Sequence, residues 1–221
     1  MDNLINEIGL LFPTYETKLP FSKKNVYFTP FKVKDAKNIA IILQENNKKL
    51  ALKAMVDLLT ANTKELDVYN LCLADAEYLF LQIRAKSVDE VLNLIKDNEK
   101  IQLNISDIKS RNDFKVEKIS IGSNITLYLE TPTIKSLLKM NSLDKEDLFK
   151  ACISKIIIQN QIYNLNKYIP EDVKDILDNL PLSVMPSIDK FIKEQPELYA
   201  SLPLSSGDKE VTGILNFFIY R

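Results

Sequence analysis

Apolar positions along the chain recur at two spacings, and the changes between them divide it. Residues 2–12 place Leu4, Ile5, Ile8, Leu11 and Phe12 on one helical stripe that stops before Pro13. Asn25–Lys32 reads N-V-Y-F-T-P-F-K, a β-prone run that Pro30 confines to an edge strand or a strand end. The period turns helical from Lys34 to Gln44 through Ile39, Ile42 and Leu43. Asn46-Asn47 interrupts it, and Lys48–Leu59 resumes it with Leu52, Met55, Val56 and Leu59. Leu73–Lys86 is the clearest early helix: Ala76, Leu79, Phe80 and Ile83 form its apolar face, and Asp75, Glu77 and Gln82 are expected in water. Val88–Ile95 fits either period.

Three β-like runs follow, Ile101–Ile105, Val116–Ile121 and Ile125–Leu129. The last two are joined by Gly122-Ser123-Asn124, a loop suited to a hairpin. Alternation with one apolar face predicts a small antiparallel sheet packed on something. Beyond Pro132 the period is helical again. Asp144 is placed to cap a helix from Lys145 to about Tyr163, with Glu146 and Asp147 in its first turn. Pro170 opens another helix, Ser187–Gln195 forms a short one, Ser205–Asp208 is a turn, and Val211–Tyr220 is an apolar tail. The pattern predicts an α+β protein: an N-terminal strand with helices, a small central antiparallel meander and a helical C-terminal half. A boundary is read near 131–143, giving an N-terminal α+β part (1–131) and a helical C-terminal part (132–221), with one continuous domain as the alternative.

Composition narrows the chemistry. The chain has 221 residues, 46% of them hydrophobic, enough for a buried core. It contains no histidine, so Ser-His-Asp and Cys-His catalysis and histidine metal ligands are excluded. Its four glycines, at 9, 122, 207 and 213, are too scattered for a phosphate-cradling loop. Cys72 and Cys152 lie far apart and are expected as buried small hydrophobes, so neither a metal nor a cofactor is expected. The start, Met1-Asp2-Asn3-Leu4, lacks the positive region of a secretory signal, and no stretch approaches the roughly 20 apolar residues of a membrane span. A soluble, cytoplasmic protein without a membrane partner is expected.

A net charge of −1 argues against a dedicated nucleic-acid binder. One local exception is the segment Lys18–Lys53, with nine lysines and the aromatics Tyr27, Phe28 and Phe31. Such interleaving can bind a single strand by stacking. The simpler reading is a strand with one buried aromatic face and a solvated lysine face. Arg84, at the end of an apolar helix face, suits either a clamp on a carboxylate or phosphate or a cap on the helix end. Ser136…Lys139 and Ser187…Lys190 both fit S-x-x-K, a spacing that recurs by chance in a lysine-rich chain. No catalytic constellation emerges.

Three segments in order carry a resemblance. Leu19-Pro20-x-Ser22 is followed by Val26-x-Phe28-x-Pro30-Phe31-x-Val33-Lys34-Asp35. Then comes Glu77-Tyr78-Leu79-Phe80-Leu81-Gln82-Ile83-Arg84-Ala85-Lys86-Ser87-Val88, and last Gly213-Ile214-Leu215-Asn216-Phe217-Phe218. Together they resemble the baseplate hub assembly proteins of T-even-type, contractile-tailed bacteriophages. Asp89 stands where the family often has Gly, and residues 90–113 lack the cysteines that many relatives carry there. The resemblance implies a non-enzymatic protein that binds other phage hub or tail proteins in the cytoplasm of the infected host. The alternatives are a stoichiometric hub subunit of the virion and a carboxylate-based cell-wall hydrolase. Candidate partner contacts are Val26, Phe28 and Phe31 of the edge-like strand, Arg84, and the C-terminal Leu215, Phe217, Phe218 and Tyr220.

Overall fold

The structure is a computed structural model and describes residues 11–44, 47–96 and 98–213. The stripe expected at 2–12 therefore lies almost wholly outside the described residues. The chain forms two compact units. The first comprises Met1–Val68, Ala74–Ser110 and Leu198–Arg221; the second comprises Tyr69–Leu73 and Arg111–Glu197. The boundary expected near 131–143 falls inside the second.

In the first unit, β1 (Tyr15–Lys18) and β2 (Asn25–Phe28) make an antiparallel hairpin with Tyr15 opposite Phe28. Alternation sets the faces: Val26 and Phe28 are buried and Tyr27 is exposed. Helix α1 (Ala36–Gln44) leads to α2 (Lys48–Asn62). The break read at Asn46-Asn47 has a direct cause, since the Asn47 side chain accepts from the N–H groups of Lys49 and Leu50 and caps α2. Met55, Val56, Leu58 and Leu59 of α2 join Leu79, Phe80, Leu81 and Ile83 of α3 (Leu73–Ser87) among the buried residues.

The ambiguous stretch after α3 is a strand. β3 (Val91–Lys96) pairs with β4 (Glu99–Asn104), and both bury alternate residues, Leu92 and Leu94 against Ile101 and Leu103. A three-stranded sheet has the order β11 (Lys209–Thr212), β10 (Glu197–Leu202), β5 (Lys109–Arg111).

The second unit is built on an antiparallel sheet of β6 (Val116–Ile121), β7 (Ile125–Glu130), β8 (Ile153–Ile158) and β9 (Gln161–Asn164), in that order. The β6–β7 hairpin closes over 122–124 as expected, with Gly122 at φ 61°, where a glycine costs nothing in steric strain. Four helices accompany the sheet: α4 (Ile134–Lys139), α5 (Lys145–Cys152), α6 (Pro170–Asp178) and α7 (Met185–Lys193). Phe149, Val173, Ile188 and Phe191 from three of them pack with Leu127, Leu129 and Ile156 of the sheet in one core. Cys152 lies in this core, and burial pushes its thiol up to about 12, so it behaves as the small hydrophobe expected.

The α+β class holds, but two expectations are corrected. The helix predicted to reach Tyr163 ends at Cys152, and the C-terminal half alternates helices with β8–β11. Ile153–Ile158 is rich in β-branched isoleucine, whose stiff side chains favour a strand. Gln159 and Asn160 then sit at φ 48° and 69°, making a two-residue turn into β9. Such a turn favours Asn-Gly. Replacing Gln159 by Asn and Asn160 by Gly is expected to raise stability by about 0.5–1 kcal/mol, read as a higher urea midpoint at unchanged slope. The second correction concerns Asp75 and Glu77, which are buried rather than wet, at 0% and 7% exposure.

Candidate functional site

The segments singled out in the sequence lie in the first unit as far as they are described, and helix α3 holds them together. Asp75, in its first turn, accepts the N–H of Phe21 through Oδ1 at 3.0 Å and that of Ser22 through Oδ2 at 2.9 Å. These are the backbone donors of the turn Leu19-Pro20-Phe21-Ser22, 54 positions away at Phe21. A buried carboxylate is tolerated here because it satisfies two main-chain donors. At the other end of α3, the Ser87 hydroxyl accepts the N–H of Phe31 at 2.8 Å and donates to the Ile83 carbonyl. The Phe31 and Phe80 ring centroids are 5.3 Å apart. Asp35 closes the first segment, accepting from the N–H of Lys32 at 2.8 Å and from the Asn62 amide at 3.2 Å. The last segment begins beside α3. Gly213, at φ 76°, donates its N–H to Leu198, and a Cβ there would stand 3.8 Å from Oε1 of Glu77.

The candidate contact residues are placed as follows. Val26 and Phe28 point inward, so the strand offers its outer side through Tyr27, which is 50% exposed. Phe31 is half-buried against Phe80. Arg84 is half-buried too; its Nη1 donates at 2.6 Å to the carbonyl of Asp89, two residues beyond the end of α3. Burial draws its guanidinium below the ordinary value, and Asp89 opposes that. Leu215, Phe217, Phe218 and Tyr220 lie outside the described residues. Two exposed apolar residues within these segments, Val33 and Val88, carry no periodicity signal because each sits at or just past an element end.

In the second unit, Ser136 and Lys139 line a pocket of about 380 Å³ together with Thr133, Lys135, Cys152 and Ser154. The Ser136 hydroxyl donates to the Thr133 carbonyl, and its N–H is accepted by Thr133 Oγ1. That is helix-start geometry, with Thr133 as the N-cap of α4. Among the described residues, no group of three His, Cys, Asp or Glu is arranged to hold a metal ion, and no helix is long and apolar enough to cross a membrane.

The buried charges and hydroxyls around α3 bind backbone groups and fix the mutual geometry of segments distant in sequence. The family model of T4 bacteriophage base plate proteins matches residues 12–219. The chain belongs to that family. No curated protein and no solved structure matches it. In this phage baseplate protein, α3 is thus an internal clamp for the described parts of those segments.

Proposed function

We propose that this phage baseplate protein promotes assembly of the central hub of the tail baseplate by binding other hub or tail proteins in the host cytoplasm, with no covalent bond made or broken. The observation that carries this reading is the family match over residues 12–219, which includes all three segments read as hub-assembly-like in full. The chemistry around α3 supports it: Asp75, Asp35 and Ser87 are engaged with main-chain groups, as in a scaffold that holds a binding surface. In this reading Val26 and Phe28 act by shaping the strand. Phe31, Arg84 and the C-terminal Leu215, Phe217, Phe218 and Tyr220 contribute contacts, since aromatic and arginine side chains dominate interface energetics.

Affinity purification of the tagged full-length chain from infected cells is expected to recover baseplate proteins, identified by mass spectrometry. Exchange of Phe217 and Phe218 for Ser is expected to reduce that recovery at least fivefold. Recovery of no tail protein in repeated experiments would refute the proposal. Quantitative mass spectrometry of purified tails is expected to find the chain below one copy per particle, whereas integral copies would make it a virion subunit.

A further inference from the structure

We propose that the outer face of the four-stranded sheet in the second unit docks an extended acidic segment of another baseplate protein. This rests on the binding role proposed above and names one surface and the chemistry that would recognise its partner. The sheet buries one face, where Ile119, Leu127, Leu129 and Ile156 enter the core. Register carries the alternate residues to the other face in rows. One row runs Lys118, Tyr128, Lys155, Asn164, and the next runs Ser120, Thr126, Ile157, Ile162.

The first row sets one lysine on either side of one tyrosine. The ammonium of Lys118 is 5.2 Å from the Tyr128 ring centroid, and that of Lys155 is 4.4 Å from it. Among the described residues neither lysine forms an ion pair with a carboxylate. The ring attracts each cation, and the two cations repel one another. The second row is polar at Ser120 and Thr126 and turns apolar at Ile157 and Ile162, where a solvent-facing row is ordinarily polar. Ile162 is 58% exposed, and its cross-strand neighbour Ile157 is partly exposed beside it.

Adjacent rows lie about 7 Å apart, two residues along a strand. A carboxylate and an apolar side chain at positions i and i+2 of an extended segment have the same spacing. The carboxylate would neutralise the lysine pair, and the apolar side chain would cover Ile157 and Ile162. Nucleic acid is a poorer match: it needs a longer basic track, and the neighbouring row would set isoleucines against its backbone.

The test is fluorescence anisotropy of the full-length chain with a labelled Glu-Ser-Val-Ser-Glu-Ser-Ile peptide, which carries carboxylates and apolar side chains two positions apart on one face. Binding is expected, and it should weaken at least tenfold in Lys118→Gln/Lys155→Gln. Lys118→Arg/Lys155→Arg, which keeps charge and ring stacking, is expected to bind within twofold of the parent. Ile162→Ser is expected to weaken binding about threefold. The proposal is overturned if the peptide does not bind, or if the double glutamine variant binds it unchanged. It is equally overturned if a Lys-Ser-Val-Ser-Lys-Ser-Ile peptide or a 20-nucleotide oligothymidylate binds as tightly as the acidic peptide. This titration needs no baseplate protein, so its failure is separable from failure of the co-purification that tests the assembly role.

Discussion

Replacement of Asp75 by alanine is expected to cost about 3 kcal/mol of stability. The carboxylate is fully buried, and its two oxygens accept the N–H groups of Phe21 and Ser22. Alanine leaves both donors without these partners, that of Phe21 buried and that of Ser22 partly buried, and an unsatisfied buried donor costs about 1–3 kcal/mol. Asp75→Asn retains one acceptor oxygen but turns an amide donor toward a backbone donor, so an intermediate loss of about 2 kcal/mol is expected. Urea denaturation followed by far-ultraviolet circular dichroism would measure both. A loss below 1 kcal/mol for the alanine variant would show that the clamp contributes little to holding Leu19–Ser22 on α3. Because that clamp positions a family-like segment, the alanine variant should also recover fewer baseplate proteins at temperatures where it remains folded.

In the second unit, Lys150→Met is expected to cost about 2 kcal/mol at neutral pH. Lys150 Nζ is 2.6 Å from Oδ1 of Asp147, and the two side chains are 8% and 6% exposed. Burial by itself pushes the Asp147 carboxyl up, but the Lys150 ammonium and the N–H and hydroxyl of Ser142 outweigh it and hold the carboxyl below its ordinary 3.8. For Lys150, burial pushes down, and Asp147 with Glu146 outweighs it and holds the ammonium above 10.5. Methionine removes the cation and leaves the carboxylate buried. The cost stays at the low end for a broken pair because Glu146, 58% exposed beside it, marks the site as close to solvent.

The pH dependence follows from the signs. Asp147 is depressed in the folded state, so its contribution is complete above about pH 4 and is lost as pH falls through its folded value. Lys150 is raised, so its contribution is complete below 10.5 and is lost as pH rises through its folded value. The parent should therefore hold a plateau between these limits and weaken on both sides. The difference between parent and Lys150→Met should shrink at pH 3, where the carboxyl of the variant is protonated and no longer needs a cation. An equal difference at pH 7 and pH 3 would refute this account.

How much of this was legible depended on how local each determinant is. The cap at Asn47, the hairpin at Gly122, the proline opening α6 and the apolar faces of α2 and α3 are decided within a few residues, and the structure has them where the periodicity predicts. Ile153–Ile158 was misread because a short run of isoleucine satisfies both periods. The choice was made by β7, which offers a strand partner more than twenty residues earlier in the chain. The burial of Asp75 carries no local signal at all, since its donors belong to a turn in another part of the chain.

The same division holds for the candidate surfaces. Residue types alone established that histidine-based catalysis and glycine-rich phosphate cradles are absent, and ordered short segments sufficed to suggest the baseplate family. Which side of each strand faces water could not be read that way. Val26 and Phe28 turned inward, and Lys118, Tyr128 and Lys155, spread over 37 positions, came together on one ring through strand register. Local propensity is set by neighbours along the backbone. Burial, charge pairing and exposed rows arise only when distant segments compete for the same space and the same hydrogen-bonding groups.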